Sequence, residues 1–181
     1  MIGVQDFIGT YDWTFEYLRR RYGAAALREY WARSIAFESQ NHAYVLIRDR
    51  GLSGMAEYWG HTLDSEQAGY RAHLDADFFR IDMYACPSLG YLLRIGQSCY
   101  ADYCQHCMGW IKPIMDRCGF VVDHEHNHAG QCWWEMRAAD STPAGDAPPL
   151  RGEHDVRHLP GWRQARHDLW LASRLVSRKL T

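Results

Sequence analysis

The sequence predicts an α+β fold with a helical N-terminal region, a small antiparallel sheet that includes a C-terminal hairpin, and a docked C-terminal helix. Three observations carry this. From Asp12 to about Arg50 the apolar positions Phe15, Leu18, Tyr22, Leu27, Trp31 and Ile35 are spaced as on one face of a helix. FFRIDMYAC, then FVVDHEHN and AGQCWWEMR, are short, aromatic and β-branched stretches that suit strands. STPAGDAPPLRG, rich in proline and without apolar period, sets a terminal segment apart. A chain of 181 residues allows one compact unit on a scale of roughly 100–200 residues per domain. The expected division is a single α+β catalytic or ligand-binding domain over 1–139, a linker over 140–160 and a helix over 161–181.

In chain order, Gly23 separates two N-terminal helices, and SGMAEYWGHTLDSEQAGY after Gly51 reads as a helix closing near Gly60. A turn or short helix opened by Asp64 or Ser65 follows. A strand spans Phe78 to Ala85, and Pro87 suits a first helical position, so a helix starts directly after Cys86. A longer helix runs from about Gln97 to Arg117, where Gly119 stops it. The hairpin turns at Asn127-His128-Ala129-Gly130 and pairs with the Phe78 strand. In the tail, Trp162, Leu169, Trp170 and Leu175 form a stripe that docks on the body or on a second subunit, a route to a homo-oligomer.

Composition excludes several classes. With 47% apolar and 23% charged residues the chain is neither disordered nor of low complexity. A formal charge of -2 supplies no basic field, which argues against nucleic-acid partners. No run nears the ~20 apolar residues of a membrane span, and the start lacks the pattern of an export signal. The expectation is a cytoplasmic protein with its six cysteines reduced. Eight Trp and eleven Tyr suit the wall of a small-molecule pocket. The tail's excess of Arg and Lys reads first as a solvated face, with binding of acidic substrates as the alternative.

Ten histidines beside those thiols direct attention to metal or nucleophile chemistry. Cys86 sits where strand yields to helix, so the helix N-terminus favours its thiolate as nucleophile or ligand; a buried inert thiol is the plain alternative. Cys104, Cys107, Met108, Ile111, Met115 and Cys118 share a helical face, which suits packing, and Cys99 and Cys118 read as core residues. The pair Cys104/Cys107 could be redox-active or bind metal, but its mid-helix placement demotes a dithiol oxidoreductase despite His106 between the thiols. His124, His126 and His128 alternate and would share a strand face, as a metal site or as a solvated hairpin tip. Cys132, on the returning strand, faces inward. The three elements converge, so one pocket could hold Cys86, Cys104, Cys107 and Cys132.

Over roughly Trp59 to Met136 the chain resembles the L-2-amino-thiazoline-4-carboxylic acid hydrolase-like family. The carriers are Cys86-Pro87 after a strand, Tyr103-Cys104-x-x-Cys107, and Gly130-Gln131-Cys132-Trp133-Trp134 on a late strand. The resemblance implies a small α+β domain and hydrolytic opening of a five-membered ring containing sulfur and nitrogen. Cys86, Cys104 and Cys132 match family cysteines, whereas Cys107 stands where typical members have a carboxylate. The layout resembles, more weakly, vinyl-reductase-type ligand-sensing domains, in which cysteines of this region hold zinc.

Two functions follow as expectations. The first is a hydrolase or lyase that cleaves a ring C–N or C–S bond of a small heterocyclic or amino-acid-like substrate. Its catalytic set is Cys86, Cys104, His106 and Cys132, with a cysteine nucleophile and no cofactor. The second is a zinc site drawn from Cys104, Cys107, Cys132, His126 and His128, serving a metal-dependent hydrolase or a small-molecule sensor or binding domain without turnover.

Overall fold

The computed structural model describes residues 5–141 and 148–162. Helix α1, Gln5–Glu29, kinks at Gly23, whose φ of 88° lies where residues with a Cβ rarely go. A π-helical segment, Tyr30–Ser39, leads into α2, Asn41–Ser65, which kinks at Gly51. Strands β1, Gly69–Leu74, and β2, Phe78–Ala85, form an antiparallel pair. Two helices follow, α3, Leu89–Arg94, and α4, Gln105–Cys118, and the hairpin of β3, Phe120–His126, and β4, Cys132–Ala138, completes the sheet. All neighbours are antiparallel in the order β1-β2-β4-β3, so the α+β class and the pairing of the hairpin with the Phe78 strand hold. Among the described residues no helix is long and apolar enough to cross a membrane.

Alternation of side chains gives the sheet two faces. Phe79, Ile81 and Met83 of β2 lie opposite Met136, Trp134 and Cys132 of β4 and join the core shared with the helices. Trp59 of α2 sits at its centre, with its ring 5.9–6.3 Å from those of Phe79, Trp110 and Trp134. The opposite face carries Arg80 and Glu135 as a cross-strand pair, both buried. Residues 148–162, irregular but packed, cover them. Asp155 joins Arg80 at 2.8 Å, Arg151 binds Glu135 through two N–H donors, and Val156 N–H donates to Asp82. Trp133, flanked by Arg80 and Arg157, packs there with Val156 and Trp162. Trp162 therefore docks as expected, while Leu169, Trp170, Leu175 and the rest of the expected tail helix lie outside the described residues.

Three boundaries differ from expectation. Helix α2 continues past Gly60 to Ser65. Residues 69–74 form an edge strand where none was expected, although Tyr70, Ala72 and Leu74 alternate with Arg71 and His73; the run is short and four of its six side chains are exposed. The helix expected from Gln97 begins only at Gln105. Tyr100 N–H is instead tied to the Asp12 carboxylate at 2.6 Å, and Cys99 and Tyr103 are buried by packing that does not follow a helical period. Cys104 is consequently the residue at the start of α4, and the C-x-x-C pair occupies a helix N-terminus rather than its middle, but turns and not a strand lead into it, so a thioredoxin-type dithiol site remains demoted.

Candidate functional site

Between α1, α2, the start of α4 and the concave face of the sheet lies a cavity of about 410 Å³. Cys86, Cys104, Cys107 and Cys132 all line it, as do His106, His124 and His126. The four cysteines and the hairpin residues His124 and His126 thus share one chamber, as the expected convergence of their elements required.

Local structure explains how each arrives. Cys86 follows the last residue of β2, and its Sγ accepts a hydrogen bond from Ser88 N–H at 3.3 Å. Its own N–H donates to the Gly130 carbonyl at 2.8 Å, which ties the hairpin turn to α3. That contact needs glycine: φ at Gly130 is 82°, and a Cβ there would stand 2.6 Å from the Cα of Gly90. Asn127, fully buried, shapes the same turn, because its Oδ1 accepts from the N–H groups of Ala129 and Gln131 and its Nδ2 donates to Gln131 Oε1. His128 takes a left-handed φ of 56° in consequence. Strand alternation puts His124 and His126 on the cavity face, whereas His128 reaches them through this turn and not as a third alternating strand residue.

The donor atoms of Cys104, His126 and His128 all lie within 4.8 Å of one another. The Nε2 atoms of the two imidazoles are 3.0 Å apart. With metal–nitrogen bonds near 2.0–2.1 Å, a tetrahedral centre separates two ligating nitrogens by about 3.3 Å, so the histidine pair is spaced for a zinc-sized ion, and the Cys104 sulfur would close on it by up to about 1 Å. Cys107 and Cys132 line the same cavity outside this triad.

Electrostatics disfavours free thiolates. Burial pushes all four cavity thiols up; for Cys104, Cys107 and Cys132 the negative charge of neighbouring thiolates adds to it. At Cys86 the N–H groups of Ser88, Leu89 and Gly90 pull the other way, as the helix-start argument anticipated, but burial outweighs them. A bound cation inverts this balance, since it stabilises the thiolates that burial and mutual repulsion penalise.

His106 is a different case. Burial lowers it to about 4, so the ring is neutral at physiological pH. Its Nδ1 is 2.6 Å from the Tyr103 carbonyl, an acceptor, so Nδ1 carries the proton and the Nε2 lone pair faces Cys107 Sγ at 3.7 Å. Tyr103, which fixes this tautomer, shares a hydrogen bond of 2.5 Å with Ser88.

Sequence reasoning did not find Glu66, Asn127 or Tyr103 as site residues. Glu66 lines the cavity from the end of α2, and burial pushes its carboxyl up. Nothing in its flanking residues marks it, because its position depends on where α2 ends. Asn127 was legible only as a turn residue. Compared with known proteins, the chain matches no family model, no curated protein and no solved structure.

Proposed function

We propose that this cavity is the active site of a metal-dependent hydrolase acting on a small heterocyclic or amino-acid-like substrate, with Cys104, His126 and His128 holding one zinc ion. One observation carries the reading: a helix start, a strand end and a turn bring one sulfur and two imidazole nitrogens within 4.8 Å, with Cys104 and His126 of that group lining the cavity. Three protein ligands leave a fourth position for water or substrate, the pattern of catalytic rather than structural zinc. When bound, the metal supplies Lewis acidity and a water ionising near neutral pH. The chain's own groups do the rest. Asn127 orients His128, the aromatic walls exclude bulk water, and neutral His106 offers Nε2 as a proton acceptor on the cavity side. The resemblance at Cys86-Pro87 and at Cys132 supports hydrolysis as the reaction class.

The test is metal analysis of the purified protein together with turnover of a panel of small thiazolines, oxazolines and cyclic imides. One zinc per chain is expected, with Cys104→Ser and His126→Ala losing zinc and turnover together. Full activity in metal-free protein would overturn the metal route, and zinc with no turnover across the panel would favour a binding domain.

A second reading has an observation of its own. His106 Nε2 set against Cys107 Sγ places a base beside a thiol, so thiol attack without metal competes. In that case Cys107→Ser abolishes turnover at unchanged zinc content.

A further inference from the structure

We propose that the cavity selects small organic cations, compact molecules with one protonated nitrogen, and that Glu66 is the group that recognises them. The inference rests on reading the cavity as a substrate site and names the class of substrate it takes.

The charge inventory is one-sided. Among the described residues lining the cavity there is no lysine, arginine or aspartate, and Glu66 is the one carboxyl. A carboxylate placed at the Glu66 end of the cavity would stand beside a like charge with no lysine or arginine to pair it. An ammonium or amidinium meets the opposite situation. It pairs with Glu66, and the rings of Tyr11 and Tyr58 on the same walls are of the kind that attract cations.

Position strengthens the match. Glu66 is the residue that closes α2, a helix of 25 residues, and the carbonyl end of a helix carries partial negative charge of the same sign as the carboxylate. Thr62, one turn back, and Gln40 also line the cavity and bring oxygen acceptors for the remaining N–H donors of a cationic head. Glu66, Cys86 and Cys107 line the same cavity, so a guest bound at the carboxyl shares the chamber with the thiols. Burial already raises the Glu66 carboxyl, and an ion-paired guest restores its ionised form, so recognition and ionisation reinforce each other.

The test titrates full-length protein as purified with benzylamine and benzamidine as cations, benzyl alcohol as the uncharged analogue and benzoate as the anion. Calorimetry should show both cations binding at least about tenfold more tightly than benzyl alcohol or benzoate, roughly the worth of one good charged contact. Glu66→Gln should remove that advantage while circular dichroism stays unchanged. Benzoate or benzyl alcohol binding as well as benzylamine, or no cation binding at millimolar concentration, overturns the proposal, and the wild-type comparison decides even if the variant fails to fold. Zinc measured on the same samples separates the two readings. Cation preference in zinc-free protein leaves this inference standing alone, and zinc without cation preference removes it alone.

Discussion

The Nε2 atoms of His126 and His128 face each other at 3.0 Å, although one residue ends strand β3 and the other stands in a turn with φ of 56°. Asn127 between them holds that geometry, because its side chain bonds both Ala129 and Gln131. Asn127→Ala strands two backbone N–H groups and should cost about 1–3 kcal/mol of stability. It should also weaken zinc binding by roughly 10–100-fold, as loss of an orienting partner does elsewhere. Competition titration with a chromophoric chelator measures it, and unchanged affinity would detach the turn from the metal site.

The Asp155 network should show in the acid limb of stability. Burial raises the Asp155 carboxyl, but Arg157, the N–H groups of Arg151 and Arg157, and Arg80 together bring it down to about 2 from an ordinary 3.8. A depressed carboxylate stabilises the fold fully above its unfolded pKa and loses that contribution as pH falls through the folded one. The window is therefore about pH 4 to 2, and the linkage is worth about 2 kcal/mol. Urea midpoints at pH 5, 4, 3 and 2 should fall more steeply in wild type than in Asp155→Asn.

Reactivity of the thiols offers a third check. Burial holds Cys86, Cys104, Cys107 and Cys132 above the ordinary thiol range, so at pH 8 each should alkylate with iodoacetamide more slowly than a free cysteine. Peptide mass spectrometry over a time course resolves the sites. Fast labelling of any of the four would mark a nucleophile and restore the thiol route.

Gly130→Ala should couple fold and site. The new methyl meets Gly90 backbone at 2.6 Å and sits at φ of 82°, so either the turn or α3 must shift, at a cost of roughly 1–3 kcal/mol. Because the Gly130 carbonyl holds Cys86 N–H, thermal stability and zinc stoichiometry should decline together. Gly161→Ala, also at positive φ but with open space around its Cβ, is the control that isolates backbone strain from crowding.

What the sequence determined by itself was whatever local period encodes. The strand at Phe78–Ala85, the hairpin around Asn127–Gly130 and its pairing with that strand follow from alternation and turn chemistry, and all three appear in the fold. The gathering of Cys86, Cys104 and Cys132 in one chamber was legible because the strand, helix and hairpin that carry them must pack together to bury the helix stripe and the hairpin face. Tertiary structure decided the rest. Gly69–Leu74 pairs as an exposed edge, its short Tyr70-Ala72-Leu74 alternation becoming a strand only against β2, and Tyr100 N–H meets Asp12 from 88 residues away, a long-range bond that belongs to a turn where helical spacing suggested helix. That shift put the C-x-x-C pair at the start of α4. His128 joined the triad through a left-handed turn, and Glu66 entered the cavity only because α2 runs on to Ser65. Local period records which side of an element is buried; which donors then meet across the cavity depends on contacts between residues far apart in the chain, which no single window of sequence contains.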